Sequence, residues 1–83
     1  MPGRFRSDLV FLVREKLAAD VLPREVPDRT VVSYGNDDPC SLCDQLVSGT
    51  EVEHGFEHVI HGMLRFHNDC FITWEIVAST SRR

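Results

Sequence analysis

Cys40-Ser41-Leu42-Cys43 and Arg65-Phe66-His67-Asn68-Asp69-Cys70-Phe71 are the stretches whose reading decides how this chain folds. Within each, two metal-ligating side chains are separated by two residues. That spacing lets a tight turn aim two sulfurs at one point about 2.3 Å from a zinc ion. At a helix start it sets His67 and Cys70 on adjacent corners of one turn. A thiolate in the first turn also gains from the positive end of the helix dipole, so Cys70 is expected to have a lowered pKa. Together Cys40, Cys43, His67 and Cys70 supply three sulfurs and one imidazole. With no coordination position left over, they describe a closed tetrahedral site for one structural zinc ion. Two alternatives stay open at this point. One is three reduced cysteines beside an ordinary histidine. The other is a Cys40–Cys43 redox couple, although that chemistry normally places the pair at the opening of a helix in a βαβ context, and here Pro39 precedes a turn.

The residues between the two pairs read as a hairpin. Leu46-Val47 begins a strand, and Ser48-Gly49-Thr50 turns the chain. Val52, His54 and Phe56 then alternate with Glu51, Glu53 and Glu57, the period-two pattern of a strand buried on one face. The glutamates are expected on the solvated face, and His54 on the apolar one. His58 to Gly62 is read as a solvated turn carrying His58 and His61, and Met63–Phe66 as the returning strand. Behind it, Cys70, Phe71, Trp74, Val77 and Ala78 share one broad helical face, with fraying expected from Ser79 onward.

Upstream, Ser7 can cap a helix whose first turn holds Asp8. Leu9, Leu12, Val13 and Leu17 recur at helical spacing, with Lys16 among them, which predicts a helix over about Asp8–Ala19 ending before Pro23. Val21–Pro39 reads as an irregular connection containing a short strand at Val31-Val32 and a loop at Gly35–Pro39. The expected organisation is an N-terminal amphipathic helix and proline-containing linker, residues 1–36, packed on a zinc module of residues 37–83. The fold class is α+β.

Composition narrows the function. Eighty-three residues suffice for one domain, whose core rarely supplies more than ~3–5 kcal/mol without a staple. The 42% hydrophobic share argues against disorder. An odd count of three cysteines rules out complete internal disulfide pairing. The net charge is −4, and Asp37–Glu57 holds six acids and no Lys or Arg. A nucleic-acid binder usually clusters its basic residues, whereas Arg4, Arg6, Arg14, Lys16, Arg24, Arg29, Arg65, Arg82 and Arg83 are scattered. The apolar run Leu9–Val13 is too short for a secretion signal and nothing approaches a transmembrane span. The cytoplasm, where metal-bound thiols are stable, is the expected compartment.

The phrase Cys40-x2-Cys43, 23 residues, then His67-x2-Cys70-Phe71 resembles the first zinc module of a LIM domain, and more broadly the treble-clef zinc fold. That resemblance implies a zinc knuckle, a β-hairpin and a C-terminal helix whose first turn supplies ligands. A LIM domain continues with a second ligand set. After Cys70 this chain has no Cys or His, so the likeness covers about residues 38–78. Leu22-Pro23, the four ligands and Trp74 are also similar to a pattern in small, uncharacterised single-zinc proteobacterial proteins.

The functional expectation is a structural zinc-binding domain that engages another protein or itself. The alternative is a nucleic-acid-binding or transcription-associated zinc protein, which requires Arg4, Arg6, Arg65, Arg82 and Arg83 to converge on one face. An enzyme is not expected. A His-Asn nuclease built on such a fold needs a further metal-binding His in the last helix, and Phe71–Thr80 has none.

Overall fold

The computed structural model describes residues 6–81. The elements are α1 (Arg6–Ala18), β1 (Val31–Tyr34), β2 (Asp38–Pro39), β3 (Leu46–Val47), β4 (Val52–His58), β5 (Gly62–His67) and α2 (Asn68–Ser81). β1, β4 and β5 form an antiparallel sheet in the order β1-β4-β5, and β2 pairs with β3 in a separate two-stranded ribbon. The α+β class is therefore as expected, with one more strand in the main sheet than the hairpin alone.

α1 turns Leu9, Val13 and Leu17 inward at four-residue intervals, all three buried. It is already helical at Arg6, so Ser7 lies inside it and not at its cap; the Ser7 side chain is outside the described residues. Its C-terminus closes in a Schellman arrangement: Val21 N–H donates to the Lys16 carbonyl at 2.9 Å and Asp20 N–H to the Leu17 carbonyl at 3.1 Å. Asp20 takes the left-handed position, φ 60°. The chain thereby swings Leu22 into the core, where it is 1% exposed.

α2 presents the face expected of it. Cys70, Phe71, Trp74, Val77 and Ala78 are buried, and Thr73 joins them. Trp74 is fully buried among Phe56, Phe66 and Phe71. Its indole N–H would cost about 1–3 kcal/mol if left unmet there; it donates to the Pro23 carbonyl at 3.0 Å. The helix continues to Ser81, beyond the fraying point expected at Ser79. α1 and α2 pack against each other, and the N-terminal helix and linker share the core of the second half.

β4 departs from its period-two reading. Phe56 is buried and His54 partly so, but Val52 is 40% exposed while Glu53 is 9% exposed. One face of β4 meets the ring of Phe71 through His54 (centroids 4.7 Å apart, parallel). The other carries Glu53 beside Arg65, whose Nε lies 4.0 Å from the Glu53 carboxylate and 3.5 Å from that of Asp38. Both faces are covered along the middle of β4, while Val52 and Glu57 stay exposed, Glu57 as its solvated reading expected.

His58 also corrects its expectation. Its Nδ1 accepts from the N–H groups of Ile60 and His61, leaving Nε2–H to reach Glu25 at 3.4 Å. The turn histidine therefore organises the hairpin end and ties it to the linker. Gly62, with φ 74°, closes that turn.

A three-cysteine, one-histidine centre

The first pair of candidate ligands sits in the link between β2 and β3. Cys40 N–H donates to the Gln45 carbonyl at 2.8 Å, and Asp44 N–H to the Cys40 carbonyl at 3.0 Å, so the backbone bends back on itself within six residues. Asp44 supplies the left-handed position this bend requires, φ 66°, a conformation that Asp tolerates better than most residues. The knuckle is pinned to β5: Ser41 N–H donates to the Arg65 carbonyl at 2.6 Å, and Arg65 N–H to Ser41 Oγ at 3.1 Å. It is pinned again to α1, because Lys16 Nζ donates to the Ser41 carbonyl at 3.0 Å and to the Asp44 carboxylate.

The second pair lies at the junction of β5 and α2. His67 is the last strand residue and Cys70 lies in the first helical turn. The structure brings all four predicted ligands together: the donor atoms of Cys40, Cys43, His67 and Cys70 lie within 4.8 Å of one another. Cys40, His67 and Cys70 are buried and Cys43 is partly so. His67 Nδ1 is 3.4 Å from Cys43 Sγ and 3.8 Å from Cys70 Sγ. A tetrahedral ion with ordinary Zn–N and Zn–S bonds places nitrogen and sulfur about 3.6 Å apart. The spacing thus suits one small cation.

The imidazole is already oriented for that role. Its Nε2 is 3.0 Å from the Leu46 carbonyl, which can only accept, so Nε2 carries the proton and Nδ1 turns its lone pair to the sulfurs. The Glu51 carboxylate lies 3.6 Å from the same Nε2 and also accepts from Ser48 N–H at 3.0 Å. Glu51 was read from the sequence as part of a solvated acidic face. Its place beside the histidine follows from the Ser48–Glu51 turn, a three-residue spacing that the sequence displays.

The thiols divide unequally. Hydrogen bonding from the Cys70 thiol holds Cys40 down at about 4 despite burial, with backbone N–H groups assisting. The reciprocal bond to Cys40, and then burial, push Cys70 well above the ordinary thiol range. Burial also raises Cys43. In the metal-free chain the thiols of Cys40 and Cys70 hydrogen-bond each other, so a thiolate on one raises the other, whatever the helix dipole adds at Cys70. Three anionic sulfurs share this pocket only if a cation neutralises them.

Elsewhere, His54 Nε2 pairs with Asn68 Oδ1 at 2.8 Å, and the ring of His61 lies against that of His58. Neither joins the cluster. Of the arginines named for nucleic acid, Arg65 is engaged by Asp38 and Glu53; the side chains of Arg4, Arg6, Arg82 and Arg83 lie outside the described residues. No helix among the described residues is long and apolar enough to cross a membrane.

The fold and the centre define a small α+β protein built round one three-cysteine, one-histidine cluster able to hold a metal ion. Comparison with protein-family models, with curated proteins and with solved structures gave no match for the chain.

Proposed function

We propose that this chain is a treble-clef-like module stabilised by one structural zinc ion, and that it serves as a binding module for another protein or for a second copy of itself. The observation that carries the metal reading is the four-donor cluster, with Nδ1 of His67 aimed at the sulfurs. Three thiolates and an imidazole favour zinc over the hard cations that seek oxygen ligands. The order of knuckle ribbon, hairpin and helix supports the likeness to the first zinc module of LIM domains. The metal would cross-link residues 40–43 to residues 67–70 and supply no reaction chemistry, since every donor is consumed in holding it. That is the reason to read the protein as a non-enzyme. The acid-rich segment and the engagement of Arg65 by carboxylates favour a protein partner over nucleic acid.

Elemental analysis of the reduced, purified protein should give one zinc per chain, and cobalt should replace it with a tetrahedral, thiolate-rich absorption spectrum. A folded protein without transition metal would overturn the reading. Affinity capture from the native cell tests the partner; recovery of nucleic acid alone would refute a protein-binding role.

A further inference from the structure

Ser48-Gly49-Thr50-Glu51 is a turn that locks onto itself in the manner of a capping box. Glu51 N–H donates to the Ser48 carbonyl at 3.0 Å, and Ser48 N–H donates back to Glu51 Oε1, also at 3.0 Å. The Glu51 carbonyl accepts from Gly35 N–H at 2.9 Å, which fastens the turn to the residue after β1. Backbone and carboxylate of Glu51 are thus fixed together. The oxygen that holds Ser48, Oε1, is the one that lies 3.6 Å from His67 Nε2. β3, which leads into the turn, sets the Leu46 carbonyl 3.0 Å from the same nitrogen. The Nε2 proton therefore faces two acceptors, a neutral carbonyl in hydrogen-bond contact and an anion slightly further off. Glu53, which opposes His67 in the β4–β5 ladder, gives its carboxylate to Arg65 instead.

We propose that Glu51 is a positioning residue of the metal centre: its charge, held behind His67, strengthens Nδ1 as a donor and slows release of the ion. This deepens, and rests on, the zinc reading proposed above. The two acceptors divide the work. Leu46 settles which nitrogen carries the proton, because a carbonyl can only accept. It brings no net charge. The carboxylate does, and an anion facing the N–H of a ligating imidazole pushes electron density toward the opposite nitrogen, the one that binds metal. The His67 side chain is only 3% exposed, so little water stands between it and that charge. Glu51 itself is 41% exposed, which leaves its field open to screening by salt.

The test uses the full, zinc-loaded chain at neutral pH, in competition with a chromophoric chelator. Losing an outer partner of a ligating histidine costs about 10–100-fold in metal affinity. With Leu46 still in place, Glu51→Gln should fall at the low end, about tenfold weaker, with faster transfer of zinc to the chelator. The glutamine keeps an oxygen for Ser48 N–H, so the circular dichroism of the loaded protein should not change. The gap between parent and variant should narrow as salt is raised. Glu57→Gln removes the same charge beside Met63, far along the ladder from His67, and should leave the affinity as it was. Equal affinities for the parent and Glu51→Gln overturn the proposal. A loss confined to Glu51→Ala, or a Glu51→Gln chain that does not fold at saturating zinc, overturns it too, since either would make Glu51 a prop of the turn. Equal losses in Glu51→Gln and Glu57→Gln would trace the effect to net charge and overturn it as well. A parent chain that takes up no zinc overturns the metal reading first and this proposal with it, which keeps the two failures apart.

Discussion

Removing the metal from the loaded chain with a strong chelator is expected to unfold the whole described chain, not merely to loosen the centre. Structural zinc contributes an apparent ~10–16 kcal/mol near neutral pH in small peptides, against net stabilities of ~0.05–0.15 kcal/mol per residue for folded proteins, which is about 4–12 kcal/mol for 83 residues. Part of that contribution is closure of the 23-residue loop between Cys43 and His67, whose length-dependent entropy alone is about 3 kcal/mol. The loss spreads because the ligands sit on elements that also build the core. Cys70 begins the helix that carries Trp74, and Cys40 precedes the fully buried Leu42. Trp74 supplies the assay. Its packing against Phe56 and Phe66 gives a near-ultraviolet circular dichroism signal that should vanish together with the far-ultraviolet helix signal in one transition, and both should return on adding zinc. Persistence of the Trp74 signal after elemental analysis shows the metal gone would refute the reasoning.

Four further outcomes are expected. Cys70→Ser should abolish tetrahedral cobalt absorption; a retained stoichiometric spectrum would place the fourth ligand elsewhere. Lys16→Met should lower the stability of the metal-loaded chain by about 1–2 kcal/mol in urea titrations, the loss of one hydrogen bond to a carbonyl plus a discounted ion pair to the exposed Asp44. Gly35→Ala should destabilise by at least about 2 kcal/mol, since its Cβ would collide with the Val47 carbonyl, a backbone atom that cannot turn aside. Zinc binding at pH 7 should release about three protons from an unfolded apo chain, whose free thiols titrate near 8.5; about two would show instead a preformed pocket in which Cys40, held at about 4, is already ionised. In either case protons compete with the metal, so affinity must rise with pH and fall on acidification, which a pH series of competition titrations would check.

The sequence disclosed those parts of the molecule that short-range geometry controls. Two-residue spacings determine where Cys40 and Cys43, or His67 and Cys70, can point, and the 3.6-residue period determines which face of α2 is apolar. It failed where a side chain's environment comes from distant chain. Glu53 was read as solvated because strand alternation assumes one wet face, whereas Arg65 and Asp38 cover that side of β4. His58 was read as solvated because its acceptor, Glu25, lies 33 residues away. Lys16 interrupts an apolar stripe for a reason that only the knuckle explains. Cys70 titrates together with Cys40, a neighbour thirty residues back in the chain that no local pattern announces. The nitrogen by which His67 faces the sulfurs was set by Leu46, across the sheet ribbon.

The bond from the Trp74 indole to the Pro23 carbonyl bears on how portable this metal centre is. A segment cut out at residue 37 would keep all four ligands yet strand that indole proton in an apolar pocket. It would also lose the third strand of the sheet and strip α1 from α2. Grafting residues 37–83 into another host would therefore transplant the ligands without their foundation. Any engineered cassette has to begin upstream of α1.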